Sequence, residues 1–212
     1  MSAPAPEPPP WPTVRPSAGS VTLRPFQDSD VAMVQDLATD PYVPLIGTLP
    51  YRCAEPEALA YLQRQRQRHS EGTGFSFAIA DAETDRALGM IGLWLRDQAS
   101  GRAQIGYAVA PSARAQGVGS AALRAVVGFA WTLPLLHRLE LHIEPWNTGS
   151  AAVARNVGFG CEGTLRSYLE IGGRRRDLEV YSLIRTAPPD TVSPPAAGIP
   201  TVITDGRPTS AP

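Results

Sequence analysis

The chain of 212 residues contains no lysine, so all nineteen of its basic residues are arginine, against twenty acidic residues. The absence of lysine excludes acetylation of the protein's own lysine side chains. Residues 21–186 hold seventeen acidic and seventeen basic residues, because three acidic and two basic residues lie outside that range. A balanced charge gives no electrostatic support for general binding to nucleic acid or to a membrane surface.

Cysteine and long apolar runs are also scarce. The two cysteines, Cys53 and Cys161, have no metal-binding spacing and are too few for a disulfide framework. No segment approaches the roughly twenty apolar residues of a membrane span, and the proline-rich start lacks the apolar core of a secretory signal. The sequence therefore predicts a cytoplasmic protein with no membrane segment and no metal site.

Proline is concentrated at the two ends of the chain. Residues 1–20 and residues 187–212 contain seven prolines each, and neither segment has the apolar periodicity that would offset the entropy of ordering it. We expect both segments to be disordered, Trp11 to be an incidental exposed residue, and a chain without residues 1–19 and 188–212 to fold normally. Residues 21–186 then form one domain, which is large enough to bury a core of its own.

Between the two ends, the periodicity of apolar residues predicts a mixed α/β domain. The predicted strands cover residues 21–26, 75–80, 87–95, 102–109, 137–143, 161–169 and 175–184. The predicted helices begin near residues 28, 55, 118 and 147. Residues 40–50 contain three prolines and a glycine, which predicts a loop, and such a loop often shapes a pocket in a compact domain.

The most informative stretch is Arg114-Ala115-Gln116-Gly117-Val118-Gly119, which follows a strand pattern and opens the helix that runs to Trp131. A helix N-terminus presents free backbone N–H groups and the positive end of the helix dipole. Glycine lets a ligand approach the backbone closely. This element is therefore suited to bind a phosphate group.

Three interpretations of this turn are open. The run Gly117-Val118-Gly119-Ser120-Ala121-Ala122 fits the dinucleotide fingerprint, and Glu140 lies about twenty residues further on, where a ribose-binding acid is expected. However, the six residues 110–115 separate the strand from the turn, and too little chain follows for a doubly wound sheet. The remaining interpretations are the phosphate loop of another family and a turn that only caps a helix.

The pattern R-x-x-G-x-G after a strand resembles the acetyl-CoA pyrophosphate loop of the GNAT N-acetyltransferase superfamily. The stretch from Asn147 to Phe159 is similar to N-x-x-S-x-x-V-x-x-x-x-G-F, the signature of the branch that includes the RimJ and RimL ribosomal-protein N-terminal acetyltransferases. The stretch from Gly172 to Leu183 resembles the last hairpin of that branch. The resemblance covers residues 20–186. It implies an α/β (α+β) fold, with a mixed, mostly antiparallel twisted sheet flanked by helices and a splayed parallel strand pair at the cofactor site.

The resemblance also implies acetyl-CoA as the acetyl donor and direct attack by an amine in a ternary complex. The residues implied at the pyrophosphate are Arg114, Gln116, Gly117, Val118, Gly119 and Ser120. The pantetheine would pair with the strand that ends at Val109, whose N–H would stabilise the oxyanion. Asn147 and Ser150 would lie near the pantetheine and the sulfur. Many GNAT enzymes have a tyrosine acid where this chain has Ala154, so Ser150 or water would assist the departing thiolate.

Candidates for the general base lie on the predicted strand 137–143 and just beyond it. Glu140, His142 and Glu144 alternate, so they share one face. We favour Glu140 as a base that acts through a water molecule, with a structural salt bridge as the alternative. Tyr107 and Trp146 are interpreted as packing residues.

The leading hypothesis is an N-acetyltransferase that acts on a protein N-terminal α-amine or a small-molecule amine, as a monomer or a homodimer. One alternative is a CoA-binding GNAT-like sensor without turnover, and another is a dinucleotide-dependent oxidoreductase. Titration separates the three hypotheses: binding of acetyl-CoA without release of the thiol would support the sensor, and binding of NAD would support the oxidoreductase. The identity of the acceptor is not encoded in the motifs, because acceptor pockets in such folds come from variable loops.

Overall fold

A computed structural model describes residues 9–186, and predictions for the rest of the chain lie outside the described residues. The strands of the sheet are β1 (Ser17–Ala18), β2 (Val21–Arg24), β3 (Gly74–Asp81), β4 (Ala87–Trp94), β5 (Arg102–Val109), β6 (Arg138–Ile143), β7 (Gly160–Ile171) and β8 (Arg174–Ile184). Their order is β1-β2-β3-β4-β5-β6-β8-β7. The β5–β6 pair is parallel, and the other neighbouring pairs are antiparallel. The predicted mixed, mostly antiparallel sheet is therefore confirmed.

The helices that flank the sheet are α1 (Val31–Leu37), α2 (Glu55–Ser70), α3 (Val118–Ala130) and α4 (Thr148–Val157). Their ends follow local signals in the sequence. At the start of α4, the Asn147 carboxamide oxygen accepts a hydrogen bond from the backbone N–H of Ser150 at 3.1 Å. Gly158 ends the same helix in the left-handed conformation, with φ 100°. None of the described helices is long and apolar enough to cross a membrane.

The sheet carries a hydrophobic core on each face, because alternate residues of a strand point to opposite sides. Phe75 and Phe77 of β3 belong to the core beneath α3 and α4, whereas Ala78 belongs to the core beneath α1 and α2. Phe129 of α3 meets Phe75 and Phe77 edge-on, at centroid distances of 4.8 and 5.7 Å. Burial of each such side chain stabilises the fold by about 1.5–3 kcal/mol.

A buried ion pair connects the segment before α1 to β2. The Arg24 guanidinium donates two hydrogen bonds to the Asp30 carboxylate, at 2.8 and 2.9 Å, and both side chains are 2% exposed. Arg24 also donates to the backbone carbonyl of Asp85 at 2.8 Å, which holds the turn between β3 and β4. The hydrogen bonds to Asp30 raise the pKa of the Arg24 guanidinium above its usual value. The Nε of Arg24 also lies 3.1 Å from the half-exposed Asp85 carboxylate, but Asp30 is the partner that is equally buried, and a buried charge that loses such a partner is costly.

The described part of the N-terminal segment differs from the expected disorder. The Trp11 ring packs edge-on against Phe75 and Phe77, at centroid distances of 5.4 and 4.9 Å. The Nε2 atom of His69 lies 2.7 Å from the carbonyl oxygen of Pro9, and β1 adds a short edge strand to β2. The aromatic residues of β3 supply a partner for Trp11 that the composition of residues 1–20 does not indicate. Trp11 is therefore a docking residue, not an incidental exposed one.

Candidate active site

The parallel strand pair separates after three residues. β5 pairs with β6 only over Arg102–Gln104, whereas it pairs with β4 over Gln104–Val109. The Ala110 N–H donates to the Leu88 carbonyl at 2.9 Å. Because hydrogen bonding alternates along an antiparallel strand, the backbone groups of Tyr107 and Val109 point away from β4, toward the gap. This gives β5 an open edge at the place where the splay was predicted.

A cleft of about 510 Å³ lies at this gap. Its lining combines the end of β5, the first turns of α3 and α4, and part of the loop over residues 40–50. The predicted cofactor residues that the fold brings together here are Val109, Arg114, Gly117, Val118, Gly119, Ser120, Asn147 and Ser150. Two helix N-termini thus meet at one cleft, and both direct the positive end of their dipoles into it.

The glycine loop has the backbone geometry of an anion site. Gly117 is the N-terminal cap of α3 with φ 77°, and Ala115 also has a positive φ of 59°. A Cβ on Gly117 would meet no atom within 4 Å, so glycine is required there by its conformation and not by crowding. The Gln116 side chain turns back and donates to the Ser112 carbonyl at 3.3 Å, so it does not line the cleft. Its contribution to a ligand would come from the backbone.

The Arg114 side chain already has partners within the protein. Its Nη2 atom lies 2.7 Å from the Asp40 carboxylate, and its Nε donates to the Val109 carbonyl at 3.1 Å. Asp40 also accepts from the backbone N–H groups of Tyr42 and Val43, at 2.7 and 2.9 Å. Burial opposes ionisation of Asp40, but these hydrogen bonds and Arg114 outweigh burial and hold its pKa below the usual value. Arg114 therefore joins the glycine loop to the loop that carries Tyr42.

Glu140 lies outside the lining of the cleft. Its carboxylate pairs with Arg138 at 2.5 Å and with the imidazole Nε2 of His142 at 3.3 Å, while Arg138 also pairs with Glu162. Burial raises the pKa of Glu140, yet Arg138 and His142 reverse that effect and leave the pKa below its usual value. A carboxylate held in this way is a poor base. The geometry favours the structural salt bridge over the catalytic role.

Tyr107 does more than pack. Its ring is partly buried and packs against the core beneath α3, and its hydroxyl lies 3.1 Å from Ser150 Oγ in the cleft. Burial raises the pKa of the Tyr107 phenol, against a smaller opposing effect of the Ser150 hydroxyl. The interpretation of Tyr107 as a packing residue is incomplete, because its contact with the motif serine joins residues 43 positions apart, which no local pattern indicates.

The loop over residues 40–50 forms a wall of the cleft, as its composition predicted. Tyr42 meets Trp146 edge-on at 4.9 Å, and Trp146, interpreted as a packing residue, is 57% exposed on the rim. Burial and the neighbouring Glu144 carboxylate raise the pKa of the Tyr42 phenol. Glu144 itself is buried and lies 3.4 Å from the Nε of Arg176. Sequence reasoning missed Asp40 and Tyr42, since their partners are distant in the chain.

The sheet order, the splayed pair and the glycine loop at the start of α3 define an α/β fold of the acetyltransferase class. A family profile described as the acetyltransferase (GNAT) domain matches residues 20–160. The chain belongs to the GNAT acetyltransferase family.

Individual relatives are similar over different lengths. The uncharacterized N-acetyltransferase p20 of Bacillus licheniformis is 35% identical over 103 residues, which are 49% of this chain and 58% of the relative. This chain thus spans little more than half of that relative. The spermidine N(1)-acetyltransferase of Escherichia coli (strain K12) is 25% identical over 76% of this chain and 84% of its own length. The structure of Mycobacterium smegmatis RimJ in complex with a CoA-disulfide superposes with a TM-score of 0.67 and 28% identity, over 80% of this chain and 84% of RimJ.

Proposed function

We propose that the protein is an acetyl-CoA-dependent N-acetyltransferase that passes the acetyl group to a primary amine by direct attack in a ternary complex. The observation that carries this proposal is the open edge of β5, which faces a cleft bounded by the first turns of α3 and α4. The edge offers backbone partners to an extended amide chain, and the helix N-termini offer positive potential to a pyrophosphate. The RimJ structure with a bound CoA-disulfide supports the choice of cofactor.

In the proposed complex, the pyrophosphate binds the backbone N–H groups from Gln116 to Ser120. The pantetheine pairs with the open edge of β5, and the Val109 N–H stabilises the negative charge that develops on the acetyl oxygen. Arg114 acts from behind the loop, because its guanidinium is already committed to Asp40 and to the Val109 carbonyl. Asn147 contributes by fixing the first turn of α4, where Ser150 lies.

The transfer forms a bond between nitrogen and the acetyl carbon and breaks the bond between that carbon and sulfur. The nitrogen loses one proton and the thiolate gains one. Ser150 donates a hydrogen bond to the sulfur as its charge develops, since Ala154 supplies no hydroxyl at the next turn of the helix. With Glu140 engaged in its ion pairs, water takes the proton of the amine. An α-amine, with a pKa of about 8, needs less help at neutral pH than a lysine-type amine of about 10.4.

Two acceptor classes are proposed, a protein α-amine and a small polyamine. The first is supported by the resemblance to the RimJ and RimL branch, and the second by the similarity to a spermidine acetyltransferase. The loop over residues 40–50 and the exposed Trp146 form the wall of the cleft that is available to an acceptor.

Release of the CoA thiol from acetyl-CoA tests this proposal. The acceptors are spermidine and a lysine-free peptide with a free α-amine, and the matched control is the same peptide with an acetylated N-terminus. We expect release above the rate of acetyl-CoA alone with at least one free amine, and none with the blocked peptide. Binding of acetyl-CoA without release would support the sensor alternative. Binding of NAD but not of acetyl-CoA would support the dinucleotide alternative.

A further inference from the structure

The hydroxyl groups of Tyr107 and Ser150 meet in the cleft, 3.1 Å apart. Tyr107 comes from β5 and Ser150 from the first turn of α4, so the contact joins the open edge of the strand to a helix N-terminus. The backbone of Ser150 is fixed separately, because its N–H donates to the Asn147 side chain at 3.1 Å. Among the described residues, Tyr107 is the partner recorded for Ser150 Oγ.

The Tyr107 ring is held in one place by its neighbours. It packs at the edge of the core, and a Cβ built on Gly119 would lie 3.4 Å from its Cε2 atom. The same Cβ would lie 3.6 Å from Val153 of α4. Gly119 therefore lets α3 and α4 close around the ring, and this packing fixes the position of the phenol oxygen relative to Ser150.

The direction of the hydrogen bond between the two hydroxyls decides what Ser150 can do. A serine hydroxyl has one hydrogen and two lone pairs. If the serine donates to the phenol, its only hydrogen is used. If the phenol donates, the serine hydrogen is free for a third atom. A phenol is the stronger donor of the two, and burial keeps Tyr107 protonated by raising its pKa.

We propose that Tyr107 is a positioning residue for acetyl transfer: its phenol donates to Ser150 Oγ and leaves the serine hydrogen free to point at the sulfur of CoA. This inference rests on the proposed function. Tyr107 itself exchanges no proton in the reaction. The thiolate that leaves when the carbon–sulfur bond breaks receives a hydrogen bond from Ser150, and it later takes up a proton equivalent to the one lost by the amine.

The ionisation of bound CoA tests the inference without an acceptor. The thiolate of CoA is followed by its ultraviolet absorbance as the pH is raised, with wild-type protein, Tyr107→Phe, Ser150→Ala and the double variant. A hydrogen bond to the sulfur favours the thiolate, so each single variant should raise the pKa of the bound thiol, Ser150→Ala by about one unit. Because Tyr107 acts through Ser150, the double variant should match Ser150→Ala.

Steady-state kinetics with the accepted amine supplies the second readout. Ser150→Ala should lower kcat by roughly tenfold to a thousandfold and leave the affinity for acetyl-CoA unchanged. Tyr107→Phe should lower kcat by about fivefold, the effect of one ordinary hydrogen bond, and should have no effect in the Ser150→Ala background. The matched control is Tyr61→Phe, because Tyr61 is buried against Met90 beneath the other face of the sheet. That control should change neither readout.

Two results would overturn the inference. One is Tyr107→Phe with wild-type thiol ionisation. The other is a Tyr107→Phe effect that persists at full size in the Ser150→Ala background, which would indicate a packing defect or a separate role. If the wild-type protein does not bind CoA, the proposed function is refuted together with this inference. If the wild-type protein binds CoA and releases the thiol normally, but Tyr107→Phe changes neither the ionisation of the bound thiol nor kcat, this inference alone is refuted.

Discussion

Strand β5 has two different edges. Toward β4, the residues Gln104–Val109 are paired, whereas toward β6 the pairing stops at Gln104. The paired side continues through β4, β3 and β2, and it contains the buried ion pair of Arg24 with Asp30 and the docked Trp11. The open side is the cleft, where backbone groups face a gap.

The comparison teaches that one strand serves two purposes. On its paired edge, each backbone group has a strand partner, so substitutions on that side should change the stability of the fold. On its open edge, the Val109 carbonyl accepts from Arg114 and the other partners are proposed to come from a ligand, so substitutions there should change binding or turnover and have little effect on stability. The predictions below test whether the two sides separate in this way.

The largest expected effect lies on the paired side. Asp30→Ala removes the buried carboxylate that binds both terminal nitrogens of Arg24 and leaves the guanidinium only the half-exposed Asp85 carboxylate at its Nε, so we expect the free energy of unfolding to fall by about 3 kcal/mol. The matched control is Asp28→Ala, which breaks the exposed pair with Arg66 and should cost about 1 kcal/mol or less. Denaturant unfolding measures both variants. Equal losses for the two would contradict the assigned role of the buried pair.

An intermediate effect is expected from Trp11→Ala, also on the paired side. The ring is partly buried against Phe75 and Phe77, so its loss should cost about 2 kcal/mol, near half the effect of a fully buried aromatic residue. Trp146→Ala, on the rim of the open side, is the comparison and should cost about 0.5 kcal/mol or less. Thermal unfolding distinguishes them. A Trp11 variant as stable as the wild type would restore the expectation of a disordered segment.

The smallest expected effect is a loss of stability at low pH that depends on Asp40, which lines the cleft on the open side. The pKa of Asp40 is lowered in the fold, so its contribution to stability is present above the unfolded value of about 3.9 and is lost as the pH falls below it. Asp40→Asn keeps an acceptor for the backbone N–H groups but removes this dependence. Melting temperatures from pH 6 to pH 3 should therefore converge for the two proteins. Parallel curves over that range would refute a stabilising charge on Asp40.

The parts of the molecule that the sequence predicted depend on local signals. The glycine turn before α3 and the Asn147 cap of α4 are set by residues within a few positions of each other, so their geometry follows from conformational preference. The splay of β5 from β6 came from the family resemblance, since the alternation of residues 102–109 contains no indication of which edge stays unpaired.

The missed parts depend on contacts between distant residues. Asp40 meets Arg114, and Tyr107 meets Ser150, across separations that periodicity does not reach. Glu140 is different, because its partner could be predicted from the sequence. Arg138 lies two residues earlier on the same face of the strand, where opposite charges are neighbours. That spacing favoured the salt bridge over the base from the start.

The central claim is that the open side binds acetyl-CoA through the glycine loop, and isothermal titration of Gly117→Asp tests it most directly. The variant places a side chain and a negative charge where the pyrophosphate is proposed to bind. The matched control is Gly72→Asp, because Gly72 has a similar φ of 70°, compared with 77° for Gly117, and equally open surroundings at the end of α2. We predict at least about tenfold weaker binding for folded Gly117→Asp, on the order of 1.4 kcal/mol, and wild-type affinity for Gly72→Asp. Unchanged affinity in folded Gly117→Asp would contradict the assignment of this loop to the cofactor.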